Sequence, residues 1–329
     1  MTTLVLDRSS LELRVDGAAL ALYEGGERRS SVPMKLLERV VIQGDLKLSA
    51  GVLTKLADAD VATLLLSRRH GRRVAVVLGD GHNDAAIRLA QSQFVLDPRW
   101  CSHWARRQVL AKVRGQARVL RHAAVERPDR RKPLTDALQT LAGIVTTLAG
   151  DGADPLPPDR IRGLEGAAAR AYFQGFSTLF PPSLGFTGRN RRPPRDPVNA
   201  ALSLGYTLLH FEAVRAGYMA GLDPLLGFYH RPAFGRESLA SDLIEPLRPQ
   251  LDTWVWQCFR RRNLRGEHFA KDRDACLLTK AGREFYFPGF ETFVRPLRRY
   301  LRRQSRVLAR LFRQKGEPFL ADDPEEEGC

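Results

Sequence analysis

The sequence predicts an α+β fold in which a small N-terminal β-rich domain precedes a larger all-α domain. Up to about residue 78, apolar residues occur in short runs between turn residues, and Leu11, Leu13 and Val15 alternate with polar neighbours. This period of two is typical of strands with one buried face. From Arg99 onward the apolar spacing changes to about 3.6 residues, which predicts helices.

The N-terminal part also contains the turns and the helix that such a domain requires. Gly25 and Gly26 separate two apolar runs and predict a tight turn between antiparallel strands. Residues 49–60, SAGVLTKLADAD, begin with a serine cap and show helical spacing, so one short helix interrupts the strands. The Gly- and Asp-rich turn at 79–84 ends this region.

The change in periodicity sets the predicted domain boundaries. Residues 100–126 form a long amphipathic pattern, and helical patterns continue to the last basic helix before the acidic C-terminus. We therefore predict an N-terminal β-rich domain at 1–80, a linker with a helix at 81–98, an α-helical domain at 99–316 and an acidic disordered tail at 317–329.

The charge of the chain indicates a polyanionic partner. The 329 residues carry a formal net charge of +15 with a pI near 10.2, and arginine supplies most of the excess. Because guanidinium groups bind phosphate oxygens and stack on bases, nucleic acid fits better than a membrane surface. A ribosome-like basic protein, or a high-GC genome that favours arginine codons, is the alternative explanation.

Several classes of protein are excluded by composition. Cys101, Cys258, Cys276 and Cys329 are scattered without the paired spacing of a zinc knuckle or a disulfide framework. The N-terminus lacks a basic segment followed by an apolar core, and no apolar run reaches the ~20 residues of a membrane helix. We expect a cytoplasmic protein.

Candidate metal ligands occur in two distant segments. Asp242 and Glu245 lie three residues apart at the start of an apolar helical pattern, which puts both carboxylates on one helix face. His230 precedes them in a connector flanked by Gly and Pro, and Glu165 lies in an Ala-rich helical segment. Carboxylates and one imidazole are a suitable ligand set for Mg²⁺ or Mn²⁺.

The same residues have structural interpretations that their spacing leaves open. Acidic residues in a first helical turn complement the helix dipole, which would account for Asp242 and Glu245. His230 would then be a loop histidine with satisfied hydrogen bonds, and Glu165 a surface residue paired with a neighbouring arginine.

Basic and aromatic residues near these ligands are candidates for binding DNA. Two arginines flank Glu165, and the Pro-, Gly- and Arg-rich residues 181–199 predict an irregular loop that concentrates positive charge, with a solvated connector as the alternative. The following helix carries a tyrosine that would stack on a base or orient a phosphate, or else pack in the core. The candidate residues are Arg162, Arg170, Arg189, Arg191, Arg192 and Tyr206.

Three segments resemble signature blocks of one family. They are RGLEGAAARAYF (162–173), DPVNAALSLGYTLLHFEAVRAGYMAGLDPLLGFYH (196–230) and GRESLASDLIEPLRP (235–249). Their sequence, order and spacing are similar to those of the CRISPR-associated adaptation integrase, the first of the core CRISPR-associated (Cas) proteins, also described as a metal-dependent DNA endonuclease.

The resemblance implies roles for individual residues. The metal ligands of the family fall on Glu165, His230 and Glu245, and a further acidic position, either a ligand or a neighbour of one, falls on Asp242. These four are the predicted catalytic residues, and Mg²⁺ or Mn²⁺ is the implied cofactor.

The resemblance also implies an activity and partners. The enzyme would join the 3′-hydroxyl ends of short foreign DNA, the spacer precursors, to the repeat of a CRISPR array, and water in place of the hydroxyl would make it an endonuclease. Double-stranded DNA, a homodimer built through residues 1–80 and a heterocomplex with the second Cas adaptation protein are the implied partners, with 99–316 as the catalytic domain. The alternatives are a nonspecific metal-dependent nuclease and a non-catalytic DNA-binding scaffold.

Overall fold

The computed structural model of the chain describes residues 2–67, 73–150, 156–190 and 193–320, and it has the predicted β-rich part followed by a mostly helical part. Arg191 and Arg192 lie outside the described residues, as does the end of the predicted tail from residue 321. The N-terminal elements are β1 (Thr2–Leu6), β2 (Leu11–Asp16), β3 (Ala19–Glu24), β4 (Glu27–Pro33), β5 (Leu37–Ile42), β6 (Lys47–Leu48), α1 (Ala50–Asp58), β7 (Ala62–Leu66) and β8 (Arg73–Val77).

The strands form two four-stranded sheets. The first has the order β1-β5-β7-β8, with β1, β5 and β7 parallel and β8 antiparallel to β7. The second has the order β4-β3-β2-β6, in which β2, β3 and β4 are joined antiparallel and β6 runs parallel to β2. Gly25 and Gly26, both with positive φ, make the predicted turn between β3 and β4.

Strand β5 joins the two parts of the molecule because both of its faces are buried. Val40 and Ile42 pack with α1 and the second sheet, whereas Val41 faces the helical core. Val40 and Val41 are at most 1% exposed, and each fully buried side chain of this size contributes about 1.5–3 kcal/mol. The first sheet therefore contributes side chains to both hydrophobic cores.

The rest of the chain is mainly helical. Asp84 caps the first helix of this part by accepting a hydrogen bond from the backbone N–H of Ala86. The elements are α2 (Ala85–Leu96), α3 (Pro98–Glu126), α4 (Arg131–Ala149), α5 (Pro158–Ser177), α6 (Pro197–Met219), α7 (Ser238–Ile244), α8 (Arg248–Arg260), β9 (Phe269–Asp272), β10 (Ala275–Leu278) and α9 (Lys280–Gly316).

Two local features differ from the simplest reading of the sequence. The antiparallel hairpin β9–β10 lies within the region that periodicity indicated as helical, since four-residue strands are too short to give a clear pattern. The segment beginning at Glu317 starts with a 3₁₀ turn, Glu317–Phe319, at the end of α9.

A buried ion-pair network connects β5, α6 and α9. Arg298 donates to both oxygens of Glu212 at 2.9 and 3.0 Å and to Glu38 at 2.7 Å. Arg39 pairs with Glu212 and, at 2.5 Å, with Glu291. The side chains of Arg39, Arg298, Glu38 and Glu212 are at most 7% exposed, so the charges depend on one another for compensation.

Within the described residues, no helix combines the length and the apolar character required to cross a bilayer.

Candidate active site

The four predicted catalytic residues come from three parts of the helical region. Glu165 lies in the middle of α5, His230 in the connector between α6 and α7, and Asp242 within α7. Glu245 begins a 3₁₀ turn directly after α7. The structure brings them together as a chain of contacts: Lys112 of α3 contacts Glu165 and Glu245, Glu245 lies near His230, and His230 contacts Asp242.

Asp242 fixes the connector that carries His230. Its carboxylate is fully buried and accepts hydrogen bonds from the backbone N–H groups of Phe228 (2.7 Å), Tyr229 (2.9 Å) and His230 (2.9 Å). The same carboxylate lies 2.7 Å from Nδ1 of His230. An ionised carboxylate only accepts, so Nδ1 carries the proton and the lone pair of Nε2 faces away from Asp242.

Glu165 and Glu245 meet at the ammonium group of Lys112. Nζ contacts an oxygen of Glu165 and lies 2.6 Å from Oε2 of Glu245. The other oxygen of Glu245 accepts from Nε of Arg248 at 2.7 Å. The side chain of Glu245 is 4% exposed, that of Lys112 10% and that of Glu165 24%.

The surrounding charges keep Glu245 ionised. Burial alone would raise the pKa of its carboxyl group, but Arg248 and Lys112 outweigh burial and lower the pKa to about 2. Burial likewise disfavours the charged form of Lys112, yet Glu245 and Glu165 raise its pKa above the ordinary value. Glu165 is held in addition by the hydroxyl of Tyr229, whose pKa is raised by burial and by the Glu165 charge, so that the phenol stays a donor.

The donor set fits a divalent cation. Two ligand atoms bound to one Mg²⁺ at about 2.1 Å are about 3.0 to 4.2 Å apart. Nε2 of His230 and Oε1 of Glu245 are 4.0 Å apart, within the reach of one ion. Oε2 of Glu245 is buried and has an ion-pair contact with Lys112 without a hydrogen bond of good geometry. Among the described residues, no three His, Cys, Asp or Glu side chains are arranged to hold a metal ion, and the ammonium of Lys112 contacts both Glu165 and Glu245.

A polar cavity of about 230 Å³ adjoins Glu165. Arg162, Arg189 and Arg248 line it together with Tyr206. The guanidinium groups of Arg248 and Arg189 lie 4.7 and 5.4 Å from the centre of the Tyr206 ring. This arrangement concentrates positive charge next to the carboxylates, as the binding of a phosphate group requires.

The hydroxyl of Tyr206 is committed within the protein. It donates to Asp252, which also accepts from the hydroxyl of Tyr172 at 3.0 Å. Burial raises the pKa of Asp252 to about 6 in spite of the hydrogen bonds from both tyrosines. Tyr206 therefore presents its ring, rather than a free hydroxyl, to the cavity.

Comparison with known proteins identifies the family. Residues 4–292 match the family model described as CRISPR associated protein Cas1. The chain belongs to the Cas1 family.

A curated Cas1 relative is the CRISPR-associated endonuclease Cas1 1 of Thermodesulfovibrio yellowstonii, 35% identical over 317 residues, which cover 94% of this chain and 96% of the relative. Two solved structures share the Cas1 fold. A casposase bound to integration product aligns with a TM-score of 0.81 at 23% identity, covering 96% of this chain and 92% of the other. A chain of a Cas6-RT-Cas1–Cas2 complex aligns with a TM-score of 0.80 at 24% identity, covering 95% of this chain and 35% of the other.

The predicted DNA-binding residues of this Cas1 chain divide into two groups. Arg162, Arg189 and Tyr206 line the cavity, whereas Arg170 is exposed on α5 and does not line it. The loop that carries Arg189 is anchored to α6, because the side chain of Asn199 accepts from Arg189 at 2.7 Å and donates to the carbonyl of Gly188 at 2.8 Å.

Sequence reasoning missed several residues of the site in this Cas1 chain. Lys112, Tyr229 and Arg248 contact the predicted ligands, and none of them was singled out from the sequence. The sequence pattern could have indicated Lys112 and Gln116. Both are polar, yet they lie on the face of α3 where apolar residues such as Val109 and Val113 are buried.

Proposed function

We propose that this Cas1 chain, an endonuclease and integrase of CRISPR adaptation, binds one Mg²⁺ or Mn²⁺ ion through Glu165, His230 and Glu245. At that site it joins the 3′-hydroxyl ends of short DNA fragments to the repeat of a CRISPR array. The observation that carries the proposal is the convergence of Glu165 and Glu245 on a single cationic group, with Nε2 of His230 beside them.

The chain supplies binding, orientation and charge. A bound divalent cation neutralises charge on the scissile phosphate and aligns the attacking and leaving oxygens. Asp242 holds His230 so that Nε2 faces the ligand position, and Tyr229 holds Glu165. Because the hydroxyl of a DNA end and a water molecule attack the same phosphate centre, these residues serve both joining and hydrolysis, and neither reaction requires a covalent enzyme intermediate.

The cavity arginines bind the phosphate groups. Arg248 is fixed by Glu245, and Arg189 by Asn199 and Ser203, so their guanidinium groups are oriented before DNA arrives. Preorganised cations stabilise the charge that builds up on phosphate oxygens during the transfer. The net charge of +15 attracts the remainder of the duplex.

The proposed assembly follows the family. We assign residues 1–80 to a homodimer interface, 81–98 to a linker, 99–316 to the catalytic domain and 317–329 to an acidic tail, with double-stranded DNA and Cas2 as partners. The basic surface supports the DNA partner, and the solved Cas6-RT-Cas1–Cas2 complex that shares the fold supports Cas2.

A joining assay tests the function. Labelled duplex with free 3′-hydroxyl ends is incubated with a repeat-containing plasmid, Mg²⁺ or Mn²⁺, and the protein with or without Cas2. The wild type is expected to form joined product, and Glu165→Ala and His230→Ala are expected to lose it by about 100-fold or more. Glu284→Ala and His122→Ala are matched controls, because both side chains are more than half exposed.

The alternatives give different products. Nicking of repeat-free DNA without joined product would indicate a nonspecific nuclease. Salt-sensitive DNA binding that a chelator leaves unchanged, with no strand chemistry under either metal, would indicate a scaffold. Normal joining by both alanine variants would overturn the assignment of the ligands.

A further inference from the structure

Lys112 already occupies the position of a cation between the two carboxylates. It projects from α3, its side chain is 10% exposed, and Nζ contacts Glu165 and lies 2.6 Å from Oε2 of Glu245. An ammonium group is a point charge with three donors, so it neutralises two carboxylates that would otherwise repel each other in a buried place.

The ammonium and a divalent ion exclude each other at this position. A Mg²⁺ ligand oxygen lies about 2.1 Å from the ion, so an ion bound to the oxygens that face Nζ would be in contact with the ammonium. Two cations at that separation repel strongly in a site of low dielectric. Metal binding through the oxygens of Glu165 and Glu245 that face Nζ therefore requires Nζ to move.

The structure offers an acceptor for the displaced group. Gln116 lies four residues after Lys112, on the same face of α3, and both line the 230 Å³ cavity beside Glu165. Gln116 is 3% exposed, and in the described part of the chain its Oε1 has no hydrogen-bond partner. A buried carbonyl oxygen without a donor is costly, which calls for a donor that arrives in another state of the site.

We infer that Lys112 is a tethered cation that holds the carboxylates together in the metal-free protein and turns to Oε1 of Gln116 when a divalent ion binds. The inference rests on the proposed metal site and adds a competitor to it. In the metal-loaded site the ammonium then lies in the cavity lined by Arg162, Arg189 and Arg248, where it adds a charge for substrate phosphate.

The test measures Mn²⁺ binding by calorimetry and melting temperature, using the full chain and MnCl₂ alone. Lys112→Met is expected to lower the melting temperature of the metal-free protein by about 5 °C and to tighten Mn²⁺ binding about tenfold, since no competitor remains. Lys112→Arg is expected to weaken Mn²⁺ binding relative to the wild type, because a planar guanidinium holds carboxylates more firmly. Arg114→Met, an exposed change on α3, controls for the loss of one charge.

Substitution of Gln116 provides an independent test. Gln116→Met is expected to leave the metal-free melting temperature unchanged or higher and to weaken Mn²⁺ binding about three- to tenfold, since the displaced ammonium loses its acceptor. In the Lys112→Met background the same change is expected to have less than about a twofold effect.

Each outcome decides the inference. The inference is supported if Lys112→Met binds Mn²⁺ most tightly, the wild type less tightly and Lys112→Arg least tightly. It also requires that the effect of Gln116→Met on Mn²⁺ binding depends on Lys112. Equal affinities, or weaker binding by Lys112→Met, overturn it even though the metal site stands. If Lys112→Met fails to fold under any condition, the comparison of Lys112→Arg with the wild type and the Gln116→Met result decide. A wild type that binds no Mn²⁺, or binds it as well as Glu165→Ala does, overturns the proposed metal site itself.

Discussion

The substitution Asp242→Asn distinguishes two roles for Asp242, a residue that orients His230 and a direct metal ligand. The carboxylate of Asp242 lies beside Nδ1 of His230. Its two oxygens accept three backbone N–H groups and the Nδ1–H of His230. In Asp242→Asn one oxygen becomes an NH₂ group. If the remaining oxygen keeps the contacts to His230, the N–H groups of Phe228 and Tyr229 lose their acceptor.

The magnitude follows from these contacts. A buried donor left without a partner costs about 1–3 kcal/mol, so two of them cost about 4 kcal/mol. For a chain of this size the melting temperature falls by about 2 °C per kcal/mol, which gives about 8 °C. Misorientation of His230 is expected to weaken Mn²⁺ binding by about 10–100-fold.

Thermal and urea unfolding of the metal-free protein, followed by Mn²⁺ titration, test this reasoning. Asp58→Asn is the matched control, because Asp58 is exposed at the end of α1. Because Asp242 accepts its hydrogen bonds in the metal-free protein, we expect the loss of stability to be present without metal. An unchanged metal-free melting temperature together with lost Mn²⁺ binding would refute it and would make Asp242 a direct ligand.

Three further predictions concern stability. Arg298→Met, which leaves buried carboxylates uncompensated, is expected to lower the free energy of unfolding by about 3–5 kcal/mol in urea titrations, and a loss below about 1 kcal/mol would contradict the role of the network. Burial alone would raise the pKa of Glu291, but Arg298 and Arg39 outweigh burial and lower the pKa to about 2. The charged form of Glu291 therefore contributes stability that is present above pH 4.5 and is lost as the pH falls toward 2. Glu291→Gln should therefore cost at most about 3 kcal/mol at pH 7 and about half of that near pH 3, whereas a difference independent of pH would speak against this pairing. Gly316→Ala would place Cβ 1.9 Å from a backbone carbonyl oxygen of α2. We expect the free energy of unfolding to fall by more than about 2 kcal/mol. An unchanged free energy of unfolding would show that α9 does not pack against α2 in this way.

The sequence predicts the fold well where one periodicity persists. The helical spacing around Val113 extends over many residues of α3, and the alternation in the six-residue strand β2 describes the burial of Leu11 and Leu13. The hairpin β9–β10 is too short to give such a signal. The buried pairing of Arg298 with Glu38 joins residues 260 positions apart, and no local pattern contains it.

The candidate site was predictable in part for a similar reason. The resemblance of whole segments marked Glu165, His230 and Glu245, and their residue types were enough to suggest a divalent cation. The contact of Lys112 with two of them depends on how α3 packs against α5 and the turn after α7, which is a tertiary property. The burial of Asp242 against three backbone amides is likewise visible only in three dimensions.

Anomalous diffraction from crystals soaked in MnCl₂ would locate the proposed ion. We expect one strong manganese peak within about 2.5 Å of Glu165, Glu245 and Nε2 of His230, with Nζ of Lys112 moved away from the carboxylates. A peak bound elsewhere, or one that any of these three side chains does not contact, would overturn the proposed metal site.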